Sequence, residues 1–97
     1  MIDIKKELIK IILLHLPSCK IMLYGSRARK TNKPGADYDI ALDTGTGERI
    51  PFMTICAILS DIEDSEIPFF VDVVDVNSVS KEFLTSIQKD FVLWKQN

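Results

Sequence analysis

Stretches with helical periodicity alternate along this chain with short β-type runs, and this order constrains the fold more than any other feature. The helical stretches are about residues 3–16, a short one from Ser26, 51–64 and 79–89. The β-type runs are about residues 19–24, 36–42, 68–76 and 91–94. This order predicts an α/β (α+β) fold, a small mixed sheet of three to four strands flanked by helices, in one domain over residues 1–97.

Local signals set the expected ends of these elements. Pro17 closes the first helix, and Pro51 suits a first helical turn. Asn77 and Ser78 are expected to cap the helix that follows them. The run over 68–76 is rich in β-branched and aromatic residues, which predicts a strand covered on both faces.

Composition excludes several classes of protein. The formal net charge of −2 argues against a chain that coats nucleic acid, so direct nucleic-acid binding is not expected. No stretch reaches the roughly 18 apolar residues that span a bilayer, and the N-terminus lacks a secretory signal.

A cytoplasmic protein is expected, with Cys19 and Cys56 as reduced core residues. His15 stands alone, which favours a surface or capping role.

The dipeptide Gly25-Ser26 predicts a phosphate-binding turn. It follows the apolar run Ile21 to Tyr24, so a strand ends at a tight turn and a helix begins. Backbone amides at such a turn point into open space, where a phosphate can bind. Basic residues gather just beyond the turn, either as a solvated loop or to neutralise a triphosphate: Arg27, Arg29, Lys30 and Lys33.

Two acids alternate on the next predicted strand. Asp37 and Asp39 are two residues apart, so both carboxylates lie on one face. Two carboxylates about 4 Å apart repel by roughly 4 kcal/mol at an effective dielectric of 20, a large cost for a small domain. A cation removes that repulsion, and oxygen ligands suit Mg²⁺. The alternative interpretation is a polar strand edge that faces water.

A third acid is expected on the strand over 68–76. Asp72 and Asp75 are three residues apart, so on a regular strand they face opposite sides. Only one of them can therefore join Asp37 and Asp39, and periodicity alone does not choose between them.

These motifs together resemble a known superfamily. Gly25-Ser26, ten intervening residues, Asp37-x-Asp39 and a later apolar-Asp-apolar strand are similar to the DNA polymerase β-type nucleotidyltransferases. The small size and the motif Gly-Ser-Arg-Ala-Arg resemble the minimal nucleotidyltransferases of this superfamily, the MNT proteins. The resemblance covers nearly the whole chain.

The resemblance implies roles for individual residues. Gly25 and Ser26 would hold the β- and γ-phosphates of a nucleoside triphosphate. The two Mg²⁺ ions of similar enzymes would be ligated by Asp37, Asp39 and Asp72, with Asp72 rather than Asp75 as the third acid.

Two basic residues match the family motif, and two other residues depart from it. Arg27 and Arg29 fall where the family often has basic residues, which implies contact with the triphosphate. Lys30 stands where glycine is common, and Ala36 stands where serine often precedes the first acid. Neither departure removes a metal ligand, but both concern the shape of the nucleotide pocket.

The implied function is transfer of AMP from ATP to a hydroxyl of a partner protein. MNT proteins commonly pair with a helical HEPN-type toxin in a hetero-oligomer and act as its antitoxin. The alternative is a catalytically silent antitoxin that neutralises its partner by binding alone. Transfer to a small molecule is disfavoured, because no second domain shapes a pocket for one.

Overall fold

The computed structural model describes residues 2–97, which form a four-stranded sheet with helices on both faces. In chain order the elements are α1 (Ile4–His15), β1 (Lys20–Tyr24), α2 (Ser26–Arg29), β2 (Tyr38–Asp43), α3 (Phe52–Glu63), β3 (Val71–Asp75), α4 (Lys81–Gln88) and β4 (Val92–Lys95). The strand order is β3-β2-β1-β4. Strand β1 runs antiparallel to β2 and β4, whereas β2 and β3 are parallel. The predicted mixed sheet with flanking helices is confirmed.

Alternation along the strands divides the apolar core into two layers. Side chains such as Leu23, Ile40 and Val73 point to the face covered by α1 and α3 and form the larger cluster. Their neighbours Met22 and Ala41 point to the opposite face, where Ile87 of α4 completes a smaller cluster. The second face is thus only partly covered, which leaves one end of the sheet open for a site.

Three local predictions differ from the structure. Strand β3 lies at the sheet edge and Asp72 on it is exposed, so the strand is not covered on both faces. The last helix begins later than expected, since Ser80 is its N-cap and its hydroxyl accepts from the Phe83 amide at 3.1 Å. Pro51 is the N-cap residue of α3 and precedes its first turn.

The residues given no catalytic role have structural positions. Cys19 is buried and Cys56 is half-buried, and both are free thiols. The His15 Nε2 lies 2.6 Å from an Asp61 carboxylate oxygen and ties the end of α1 to α3. No helix within residues 2–97 has both the length and the apolar character that a bilayer crossing requires.

Asp75 is the buried acid of this fold and has a structural role. It is 5% exposed, and its carboxylate accepts from the Ile50 amide at 2.7 Å, the Asn77 amide at 3.0 Å and the Ser78 hydroxyl at 2.8 Å. These bonds fix the segment before α3 and the turn after β3. Asp75 is therefore fully engaged at the end of the sheet away from Asp37.

Replacing Asp75 is expected to destabilise the whole domain. Asp75→Ala leaves three donors without an acceptor, and Asp75→Asn keeps an acceptor for only part of the set. We expect a loss of about 3 kcal/mol in the free energy of unfolding for Asp75→Ala and a smaller loss for Asp75→Asn. Urea denaturation measures both, with the exposed Asp64→Ala as control. Equal stability of the two alanine variants would contradict this role.

Candidate functional site

The site is built on one row of residues across three strands. Tyr24 is the register partner of Asp39 across the antiparallel pair β1 and β2. Asp39 is in turn the register partner of Asp72 across the parallel pair β2 and β3. Neighbouring strands lie about 4.8 Å apart, so the row brings a phenol and two carboxylates together at one end of the sheet.

The glycine after β1 brings the turn directly against this row. Gly25 has φ 78° and ψ −160°, and a Cβ at this position would collide with a carboxylate oxygen of Asp39. Only glycine allows both the positive φ and this close approach. The turn that begins α2 and the carboxylate on β2 therefore form one contiguous surface.

Ser26 begins α2 and leaves groups available at that surface. Its hydroxyl makes no hydrogen bond to another described residue, while its carbonyl accepts from the Thr31 amide at 2.9 Å. Amides of a first helical turn lack intrahelical acceptors. The helix ends at Lys30, which has a left-handed φ of 61°. That conformation favours glycine, which explains in physical terms why lysine is unusual there.

Asp39 lies within electrostatic range of the other two candidate acids. Burial raises the pKa of the Asp39 carboxyl, the neighbouring Asp72 and Asp37 raise it further, and Arg29 opposes them. Asp37 and Asp72 are both exposed, so the open side of the cluster faces solvent. The structure thus places Asp37 and Asp72 each within electrostatic range of Asp39, and it places Asp75 at the other end of the sheet.

These acids fit a hard cation in chemistry, although they are not arranged as a finished site. Carboxylate oxygens are the ligands that Mg²⁺ takes from proteins, and a cation would relieve the repulsion that raises the Asp39 pKa. Within the part of the chain that the structure describes, no three His, Cys, Asp or Glu side chains converge closely enough to hold a metal ion. Mg²⁺ commonly binds through one or two carboxylates together with water or substrate phosphates, so Asp39 with one neighbouring acid suits it in chemistry.

The two arginines after Ser26 have different surroundings. The Arg29 guanidinium donates to an Asp90 carboxylate oxygen at 2.6 Å and remains half exposed. Arg27 instead donates from Nε and Nη2 to the Ala36 carbonyl, at 3.0 and 2.8 Å. Arg29 is thus near the acids with its charge accessible, whereas Arg27 is engaged within the protein.

Tyr24 is a site residue that the sequence patterns did not identify. Its hydroxyl donates to a carboxylate oxygen of Asp72 at 3.5 Å, and its buried ring packs edge-on against Phe83. Burial, followed by the charges of Asp72 and Asp39, raises the pKa of Tyr24 far above its usual range. The phenol therefore stays protonated and acts as a donor. No local sequence pattern marks Tyr24, because its contact with Asp72 depends on the pairing of distant strands.

Comparison with known proteins identifies the family to which this chain belongs. Residues 6–97 match the family described as Polymerase beta, Nucleotidyltransferase. No curated protein matches the chain. Two similar solved structures share its fold. One is a toxin-antitoxin with AMP-PNP, with TM-score 0.80, 19% identity and coverage of 96% of this chain and 73% of that chain. The other is a mutant of the toxin-antitoxin MntA-HpeT, with TM-score 0.77, 16% identity and the same coverage.

Gly25→Ala is expected to disturb the site as well as the fold. Both Gly25 and Gly35 have positive φ, but a Cβ at Gly35 would meet nothing within 4 Å. Gly35→Ala should therefore cost only the backbone strain of about 1 kcal/mol. Gly25→Ala should cost about 1–3 kcal/mol more, because its methyl group must displace Asp39. Thermal or urea denaturation compares the two variants, and equal losses would show that the close approach is unimportant.

Asp39→Asn is expected to stabilise the metal-free protein at neutral pH. The pKa of Asp39 is higher in the folded than in the unfolded chain, so its ionisation lowers stability as pH rises through the folded-state pKa. The variant should therefore unfold at a higher urea concentration than the wild type at pH 7. That gain should vanish as pH falls below about 4, where the unfolded carboxyl is also protonated.

Asp64→Asn provides the control for this comparison, because Asp64 is exposed on the opposite side of the core near Glu7. Denaturation in EDTA at a series of pH values measures the difference for both variants. A loss of stability for Asp39→Asn at pH 7 would contradict the expectation.

Proposed function

Because the chain belongs to the Polymerase beta nucleotidyltransferase family, as its motifs predicted, we propose that it transfers AMP from ATP to a hydroxyl of a partner protein. The partner we propose is a helical HEPN-type toxin, which the chain would neutralise as its antitoxin. The observation that carries the proposal is the row of Asp39 and Asp72 set against the Gly25 turn. It supports a triphosphate and an acceptor meeting at one end of the sheet.

The turn and α2 are the proposed triphosphate site. The β- and γ-phosphates would accept hydrogen bonds from the free Ser26 hydroxyl and from backbone amides of the first turn of α2. The half-exposed Arg29 guanidinium would face the same charge after leaving Asp90. Gly25 contributes by lacking a side chain, which keeps the phosphates close to Asp39.

The acids are the proposed metal and acceptor side of the site. Asp37, Asp39 and Asp72 would hold two Mg²⁺ ions. When bound, Mg²⁺ would neutralise charge on the triphosphate and acidify an attacking hydroxyl. Asp72 lies on the edge strand and is exposed, so an acceptor can approach it from solvent. The Tyr24 hydroxyl donates to the Asp72 carboxylate and helps to orient it.

The bond changes follow from this placement. The acceptor oxygen forms a bond to the α-phosphorus, and the bond from that phosphorus to the bridging oxygen breaks in line. Pyrophosphate is the leaving group and is released from the turn that holds it. The proton of the acceptor hydroxyl passes to water. No histidine base is needed, which agrees with the position of His15 in contact with Asp61 between α1 and α3.

Support for a protein partner comes from the surface and from the similar structures. Large apolar side chains are exposed on the described residues, including Phe70 at 85%, Phe52 at 77% and Met53 at 75%. Exposed large apolar side chains are available for contact with a partner protein. Both similar structures are toxin-antitoxin proteins, and one was determined with AMP-PNP. These observations support a toxin as partner and an adenine nucleotide as donor.

The second candidate function is neutralisation by binding alone. It is favoured by the left-handed backbone of Lys30, which places strain at the end of the proposed phosphate turn. Under this alternative the acids would be dispensable. An Asp37→Asn and Asp39→Asn protein that is folded and still neutralises the toxin fully would favour it.

The proposed transfer is tested with ATP labelled at the α-phosphate. Pure protein is incubated with Mg²⁺ and the toxin encoded beside it, and label on the toxin is measured. We expect transfer by the wild type and a loss of roughly 10³-fold with Asp37→Asn and Asp39→Asn combined, since metal ligands contribute several kcal/mol.

The matched control changes two acids away from the site. Asp64→Asn with Glu66→Gln removes the same charge on the α1 side of the molecule and should leave transfer unchanged. Absence of transfer by the wild type, or transfer unaffected by the double change at Asp37 and Asp39, would overturn the proposal.

A further inference from the structure

The Arg27 side chain is engaged by a single backbone carbonyl. Its Nε and Nη2 both donate to the Ala36 oxygen, at 3.0 and 2.8 Å. Two donors on one acceptor fix the guanidinium plane relative to the peptide that joins Ala36 to Asp37. Hydrogen bonds from a charged donor are the stronger class in proteins.

Two aromatic rings flank this guanidinium, one at the start of β2 and one in the segment just before β3. Its Cζ lies 4.0 Å from the centroid of the Tyr38 ring and 4.7 Å from that of Phe69. The two rings contact each other edge-on, with centroids 5.4 Å apart. Arg27 therefore joins α2 to the start of β2 and to the residue two before β3. Contacts of this kind are worth about 0.5–2 kcal/mol each.

Asp37 depends on this arrangement for its position. It precedes β2, its side chain is exposed, and its carboxylate accepts no hydrogen bond from another described residue. The segment that leads to it is a loop held by a turn from the Ala36 amide to the Lys33 carbonyl at 3.1 Å. Of the two peptide groups of Asp37, the one on its N-terminal side is the one that Arg27 binds.

We propose that Arg27 is a positioning residue for Asp37, and not a ligand of the triphosphate. The inference rests on the proposed function, because it assigns Asp37 to metal binding. A phosphate contact from the Arg27 donors that now bond Ala36 would require loss of those bonds, and turning the guanidinium toward the phosphate turn would also lose its stacking on Tyr38. Arg29 has no such cost beyond a half-exposed ion pair. The two arginines of the motif thus divide their roles between the acid and the nucleotide.

The test separates metal affinity from nucleotide affinity. Mn²⁺ alone is titrated into the protein, with free Mn²⁺ followed by electron paramagnetic resonance, and ATP is titrated calorimetrically in EDTA. For Arg27→Gln we expect a Mn²⁺ dissociation constant about 10-fold higher, as for other residues that orient metal ligands, with unchanged affinity for ATP in EDTA. In the transfer reaction kcat should fall while KM for ATP stays constant.

Further variants guard against a general loss of folding. Phe69→Leu removes one stacked ring while leaving α2 and β2 unchanged, and it should shift Mn²⁺ affinity in the same direction by a smaller factor. Arg27→Lys keeps the charge but loses the paired donors, so it should resemble Arg27→Gln. Arg49→Gln removes an exposed charge outside the site and should change neither affinity.

The outcomes distinguish this inference from the proposed function. Weaker binding of ATP in EDTA by Arg27→Gln, with Mn²⁺ affinity intact, would overturn the positioning role alone. Wild-type affinity for Mn²⁺ in a folded Arg27→Gln protein would do the same. A wild-type protein that binds no Mn²⁺ would instead count against the proposed metal site, and the inference would fail with it.

Discussion

The register between β1 and β2 is the constraint on which the rest of the site depends. Pairing Tyr24 with Asp39 brings the Gly25 turn against a carboxylate and places both on the less covered face of the sheet. A shift of one residue would send Asp39 into the apolar layer beneath α1 and α3. The buried side chains of both strands hold this register, with Ile21, Leu23, Ile40 and Leu42 on the covered face.

This register concentrates negative charge where the protein has little to offset it. Asp39 is partly buried beside two other acids, and Arg29 is the cation that opposes them. Asp75 shows the contrasting solution, since a fully buried carboxylate is satisfied there by three donors. The two acids of β3 thus differ in their hydrogen-bond partners. Asp75 is satisfied within the fold, whereas Asp72 remains available to a ligand.

Much of the fold was predictable from sequence because it follows from periodicity and local turn signals. The alternating segments gave the helices and strands, and the spacing from Gly25 to Asp39 indicated a turn beside two acids. The choice of Asp72 over Asp75 required the family resemblance, since alternation showed only that they face opposite sides. The later start of α4 was missed because three nearby residues, Asn77, Ser78 and Ser80, all suit an N-cap.

Other parts of the site arise from contacts between distant segments. Arg27 and Arg29 look equivalent in sequence, yet one meets the Ala36 carbonyl and the other meets Asp90, 61 residues away. Tyr24 becomes a site residue only through its register with Asp39. Neither pairing has a local sequence signal. The edge position of β3 likewise depends on how the chain crosses over through α3, so its exposed face could not be inferred from its apolar composition.

The parallel pairing of β2 with β3 brings together parts of the site that lie at different separations along the sequence. The Gly25 turn, Asp37 and Asp39 belong to one antiparallel pair whose partners are 15 to 23 residues apart, compared with 33 residues for β2 and β3. Asp72 joins them only after the chain has passed through α3 and returned, and β3 has a single strand neighbour to hold it. Long-range pairing forms later and opens more readily than local pairing. Detachment of this edge would therefore leave the Gly25 turn with two acids, so that under the proposed function nucleotide binding and competence for transfer would be separable states of one small domain.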